Sequence, residues 1–149
     1  MKRPQSEEKR IVFYILDEFS LQAVSGALAV LRLANETSGR TAYSWRIASH
    51  GGEPVLSACG LELRPNGSLE EERQKIPTAE QPSMVVICGG HEMANASRAL
   101  NSWVRECAIH RIPVATLAGG AFVPAGAGLY HDKRWATLAF VLPIWQRLE

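Results

Sequence analysis

An α/β fold built on an open parallel sheet, with helices on both faces, is the architecture this sequence predicts. Three observations carry it. Ile11–Leu16 (IVFYIL), Met84–Cys88 (MVVIC) and Pro113–Leu117 (PVATL) are short, continuous apolar runs rich in β-formers, as expected of strands buried on both faces. Stretches of helical periodicity lie between them, as crossovers between parallel strands require. Glycine pairs follow two of the runs, Gly89-Gly90 after Cys88 and Gly119-Gly120 after Leu117-Ala118.

The elements follow in order. Residues 1–10 are polar and read as a loose tail ahead of the folded unit, 11–149. Asp17-Glu18-Phe19-Ser20 is a loop, and Ser20 is placed to cap a helix running to Glu36. Val24, Leu28 and Leu31 recur along it at helical spacing, and Gly39 supplies the stop. Tyr43–Ser49 (YSWRIAS) alternates as a second strand and Gly51-Gly52 turns the chain. Val55-Leu56 and Leu61-Glu62-Leu63 then form short strands around Cys59-Gly60. Residues 64–83, with Pro65, Pro77 and Pro82, read as surface loop with one helical turn. Asn95 or Ser97 opens a helix through Ile109, with Ala99 or Leu100, Trp103, Val104 and Cys107 on its apolar face. Ala118–Ala121 is a tight turn into Phe122–Leu129. Trp135–Phe140 reads as a strand, and Pro143 opens a final helix.

Composition narrows the function classes. Sixteen Lys and Arg nearly balance fifteen Asp and Glu, which leaves no electrostatic footprint for nucleic acid. The basic opening, Lys2, Arg3, Lys9 and Arg10, is broken by Glu7 and Glu8 and reads as a solvated tail. No apolar run approaches the roughly 20 residues that span a bilayer, and Ile11–Leu16 is too short for a signal-peptide core. A cytoplasmic location is the expectation. Cys59, Cys88 and Cys107 are odd in number and without metal-like spacing, so they read as reduced thiols. His50, His91, His110 and His131 are scattered too, and no cofactor or metal is expected.

In open parallel sheets ligands sit beyond the carboxyl ends of the strands. The loops Asp17–Ser20, Gly89-Gly90-His91 and Ala118–Ala121 should meet there. The expected ligand-binding residues are therefore Phe19, Gly89, Gly90, His91, Ala118, Gly119 and Gly120. Backbone N–H groups near Gly90, Gly119 and Gly120 suit a carboxylate, while Asp17, Glu18 and the face of Phe19 suit a cationic end. Each has a plainer reading beside it: glycines that merely turn the chain, an exposed carboxylate pair, a core phenylalanine. Cys88, near His91, is the tempting nucleophile, though a free cysteine at a strand end is more often a small buried hydrophobe.

Five segments in order, FSLQAVSGALAVLRLAN (19–35), YSWRIAS (43–49), GLELRPNGSL (60–69), VVICGG (85–90) and LAGGAFVPAGAGL (117–129), resemble the N-terminal sensing domain of AraC-type transcriptional regulators. That domain is a PfpI-like branch of the class I glutamine amidotransferase superfamily. The resemblance implies a flavodoxin-like sheet and a strained strand-to-helix turn, the nucleophile elbow. Catalytic relatives carry cysteine there, in a pattern like Cys-Thr-Gly-Ala-Phe; here Ala118-Gly119-Gly120-Ala121-Phe122 puts Ala118 in its place. The relatives' first-helix carboxylate falls on Ala29, and the histidine of their Thr-His-Trp-like triplet on Ala139. The family domain continues beyond Glu149 into a pair of helix-turn-helix motifs, so the resemblance implies a truncated or excised unit whose DNA-binding part is absent from this chain.

The expected function is a non-catalytic ligand-sensing and dimerisation domain of such a regulator. Its partners would be a small-molecule effector, an amino acid or quaternary-amine-derived metabolite, and a second copy of the chain, with no membrane. One alternative is a PfpI-like hydrolase or hydratase using Cys88. Another is a dimerisation module with a vestigial pocket. A bulky residue at Gly90 or Ala118 is expected to block the ligand and leave the fold intact.

Overall fold

The computed structural model describes residues 7–90, 96–131 and 134. In chain order the elements are β1 (Lys9–Ile15), α1 (Leu21–Ser38), β2 (Tyr43–Ser49), β3 (Val55–Leu56), β4 (Glu62–Leu63), β5 (Gly67–Ser68), α2 (Leu69–Lys75), β6 (Met84–Cys88), α3 (Arg98–Ile109), β7 (Val114–Leu117), a 3-10 turn (Ala118–Ala121) and α4 (Phe122–Gly126). Five strands form one sheet in the order β5-β2-β1-β6-β7, every pair parallel. β3 and β4 form a separate antiparallel ribbon. This is the flavodoxin-like arrangement.

The alternation of side chains along the central strands builds two cores. Val12, Tyr14, Val85 and Ile87 face one way, onto Leu69, Leu100, Trp103, Val104, Cys107 and Val123 of α2, α3 and α4. Ile11, Phe13, Ile15, Val86 and Cys88 face the other way, onto Val24 of α1 and the ribbon residue Val55. Both faces of β1 and β6 are thus covered, which is why these strands read as unbroken apolar runs.

Local chemistry sets the boundaries. The Ser20 hydroxyl accepts from the Ala23 N–H to start α1, and Gly39 ends it in the left-handed region at φ 64°. Ser97 caps α3 through the Leu100 N–H. The first strand begins at Lys9, which pairs with Tyr43, two residues ahead of the apolar run, because a ladder bond needs only backbone. Residues 64–83 hold more structure than a loop with one turn. A reciprocal capping box between Ser68 and Glu71 starts α2, and the Ser-x-x-Glu spacing was its signal. Glu72, 1% exposed, is drawn inward from this helix by two 2.8 Å bonds from Arg46 of β2. The expected strand at Trp135–Phe140 and the helix from Pro143 lie outside the described residues.

Candidate ligand site

Strands β1, β6 and β7 end level: Ile15 is in register with Cys88 and Cys88 with Leu117. Their loops therefore emerge side by side at the carboxyl edge, and backbone bonds lace them together. Leu16 N–H donates to the Cys88 carbonyl at 3.0 Å, Ser20 N–H to the Gly89 carbonyl at 3.0 Å, Gly89 N–H to the Leu117 carbonyl at 3.1 Å, and Gly119 N–H to the Gly90 carbonyl at 2.9 Å. Approach this close leaves no room for side chains. A Cβ on Gly89 would meet Gly120 N at 2.5 Å, and one on Gly120 would collide with the Ile87 carbonyl. The glycine pairs are there first to let three loops pack.

Ala118 sits where β7 turns into the 3-10 segment, at φ 50°. Left-handed backbone is uncommon for a residue with a side chain, and it persists only where the surroundings impose it. A strained non-glycine residue at a strand-to-helix turn is the geometry of a nucleophile elbow, here ending in a methyl group.

A cavity of about 410 Å³ opens over this turn, lined by Ser20, Leu21, Gln22, Ala58, Cys59, Gly90 and Ala118. Of the residues expected at the site, Gly90 and Ala118 line it. Gly89, Gly119 and Gly120 are buried behind it, and the Gly119 N–H already serves the Gly90 carbonyl. Phe19 is 0% exposed in the core, so its ring offers no face to a cation and the core reading is the correct one. His91 lies outside the described residues. Asp17 lines a different cavity, between the ends of β1 and β2. Its neighbour Glu18 is exposed, its N–H held by the Leu56 carbonyl at 2.9 Å.

The first turn of α1 also brings donors to the cavity. Ser20 satisfies the N–H groups of Ala23 and Val24, and among the described residues those of Leu21 and Gln22 at the cavity are the first-turn donors of this 18-residue helix left without a partner. The positive end of that helix suits an anionic group. Ala29, matched by sequence to the relatives' carboxylate, is exposed further along α1 and lines nothing here. The α1 residues at the cavity are Leu21 and Gln22, because the helix runs away from the elbow after its first turn. Ala139 lies outside the described residues.

The thiols sort by burial. Cys88 is 0% exposed, its sulfur 3.6 Å from the Val86 carbonyl, and burial pushes its thiol far above the ordinary range. Burial of this kind disfavours the thiolate, the form in which a cysteine is nucleophilic, and Cys88 lines neither the cavity over the elbow nor the one beside Asp17. Sequence reasoning missed Cys59. It is exposed, contacts the Ser57 hydroxyl at 3.2 Å and lines the cavity with Ala118. Only the ribbon brings it there, through a bridge between Phe19 and Ser57. Among the described residues no group of three His, Cys, Asp or Glu side chains is placed to hold a metal, and no helix is long and apolar enough to cross a membrane.

The sequence pattern of the DJ-1/PfpI family matches residues 9–142. The chain belongs to the DJ-1/PfpI family. The HTH-type transcriptional regulator GbdR of Pseudomonas aeruginosa is 34% identical over 89 residues, 60% of this chain and 21% of that protein. The chain thus spans about one fifth of the length of that curated relative. Among solved structures, an AraC family transcriptional regulator from Pseudomonas putida superposes with a TM-score of 0.80 at 24% identity, over 93% of this chain and 71% of the other. A ThiJ/PfpI domain protein from Brachyspira murdochii does so at 0.74 and 13% identity, over 95% and 77%. These likenesses show the shared fold.

Proposed function

We propose that this DJ-1/PfpI domain is a non-catalytic effector-sensing unit of an AraC-type transcriptional regulator, working in the cytoplasm as a homodimer. The observation that carries the reading is Ala118: the elbow keeps its strained backbone and its cavity, and a methyl group cannot attack a carbonyl. The similarity to a helix-turn-helix regulator supports the regulatory part. DNA contact would belong to a part of the protein outside this chain.

The effector would be a small carboxylic acid, such as an amino acid or an N-methylated relative. Its carboxylate would lie at the N-terminus of α1, against Leu21 and Gln22, with its body over Ala118 and Cys59. The cavity is lined by residues of α1, of the turn between β3 and β4 and of the elbow, so a ligand there stabilises one arrangement of those segments. Whatever couples to those elements then feels a shifted population.

Three measurements test this. The protein should turn over no esters, amides, isonitriles or α-oxoaldehydes; turnover that disappears in Cys59→Ser or Cys88→Ser would overturn it. A thermal-shift screen of amino acids and N-methylated amino acids should find a stabilising ligand whose effect vanishes in Ala118→Leu. An undiminished shift in that variant would place the effector elsewhere. In a Cys59→Ser background, Ala118→Cys should alkylate faster than Cys88 because it faces solvent near a helix N-terminus.

A further inference from the structure

A second cavity of about 410 Å³ opens at the same end of the sheet, across β1 from the first, between the ends of β1 and β2 and the start of α3. It shares no lining residue with the cavity at Ala118. Its apolar part is Ile15, Val55 and Leu100, all buried. Asp17, His50 and Glu53 are exposed at its rim. Among the described residues no Lys or Arg lines it, and neither Asp17 nor Glu53 has an ion-pair partner.

The independent sign of a ligand is Tyr14. It lines this cavity and is 2% exposed, its ring tilted against Trp103 at 5.8 Å between centroids. Yet no hydrogen bond among the described residues reaches its hydroxyl. The other hydroxyls of the lining are used: Ser49 Oγ donates to the Glu53 carbonyl, and Ser97 Oγ accepts from Leu100 N–H. The Tyr14 side chain is enclosed up to its hydroxyl, which is left open to the cavity, and burial together with the Asp17 charge pushes it up to about 12. An occupant that brings a positive charge to this oxygen would satisfy it and meet both rim carboxylates.

We infer that this cavity binds a compact alkylammonium ion, its charge between Asp17 and the Tyr14 hydroxyl and its alkyl groups on Ile15, Val55 and Leu100. An anion would face two carboxylates without a lysine or arginine to offset them. A sugar would find one unbonded side-chain hydroxyl, that of Tyr14, and an apolar floor. The inference goes beyond the regulatory reading and stands apart from it, since a catalytic domain with these residues would bind the same ion.

The test is a chemical-shift titration of the full chain with n-butylammonium chloride, against sodium chloride, n-butanol and sodium butyrate. Saturable shifts at Tyr14 and Ile15 with butylammonium alone are expected. Asp17→Asn should weaken binding roughly fivefold, as for a charge pair at a solvated rim. Tyr14→Phe should weaken it about tenfold, the loss of a hydrogen bond to a charged group, without lowering the melting temperature, because the ring is kept. Ala118→Leu should leave the affinity unchanged. Equal binding of butanol, undiminished binding in both Asp17→Asn and Tyr14→Phe, or loss of binding in Ala118→Leu would each overturn the assignment.

Discussion

Gly90→Val tests how tightly the site's loops are packed. A Cβ at Gly90 would collide with the Glu18 carbonyl oxygen and lie 2.8 Å from its carbon, both backbone atoms. Glu18 cannot yield easily. Its own backbone is left-handed at φ 57°, its N–H is bonded to Leu56, and Ser20, two residues on, is bonded to Gly89. Forced overpacking costs about 1–3 kcal/mol, and one or two displaced hydrogen bonds add roughly 0.5–1.5 kcal/mol each. The expected loss is about 2–5 kcal/mol, and at roughly 2–4 °C per kcal/mol for a chain of this size the melting temperature should fall by roughly 5–20 °C. This replaces the expectation that a bulky residue at Gly90 would leave the fold intact; Ala118, beside the open cavity, is the position that can be blocked cleanly. Gly26→Ala is the control. Nothing lies within 4 Å of a Cβ there, and alanine inside a helix gains about 0.5–1 kcal/mol over glycine. Thermal melts followed by circular dichroism compare the three proteins. A Gly90→Val protein that melts with the parent would refute the packing account and free Gly90 to serve the ligand alone.

Three further outcomes follow from the buried groups and the elbow. Burial pushes Cys88 up and Cys107 up to about 12, and Tyr14 is up to about 12 as well. Their folded values lie above their unfolded ones, so the stability they contribute is complete below the ordinary thiol value of about 8.5 and is lost as pH rises through the folded values. Urea unfolding at about pH 10 should show lower stability than near pH 7, by up to about 1.4 kcal/mol per pH unit per group; Cys88→Ala with Cys107→Ala should flatten the slope. Arg46→Met leaves buried Glu72 with Lys75 alone, 3.1 Å away, and should cost about 3 kcal/mol in urea unfolding; a neutral result would show that the Arg46–Glu72 pair adds nothing net to stability. Ala118→Gly relieves a left-handed residue of its Cβ, and its melting temperature should match or exceed the parent's. A fall would mean that the methyl group packs rather than strains.

The strands and helices at the centre were legible because burial writes them into the sequence. Val12 and Phe13 point to opposite faces and both faces are filled, so the run is continuous. Ser20, Ser97 and Gly39 carry cap chemistry that acts within a few residues and needs no tertiary context. Where the reading fell short, the deciding contact was remote or the local signal was weak. The β5–α2 unit hid in a proline-bearing stretch, and Glu72 is held inside it by an arginine 26 residues earlier.

For the site, the sequence by itself determined that loops after three strands meet at one edge, and that alanine stands at the turn after β7. Both follow from strand order and residue identity. The tertiary structure alone decided which of those residues face a ligand. It buried Phe19 and Cys88, used the Gly119 N–H internally, carried Cys59 to the elbow on a two-stranded ribbon, and divided Asp17 from Ala118 into separate cavities on either side of β1. The physical reason is range: caps, turns and strand runs are set by neighbours in the chain, whereas a side chain's access to a cavity depends on packing between segments that the sequence leaves far apart.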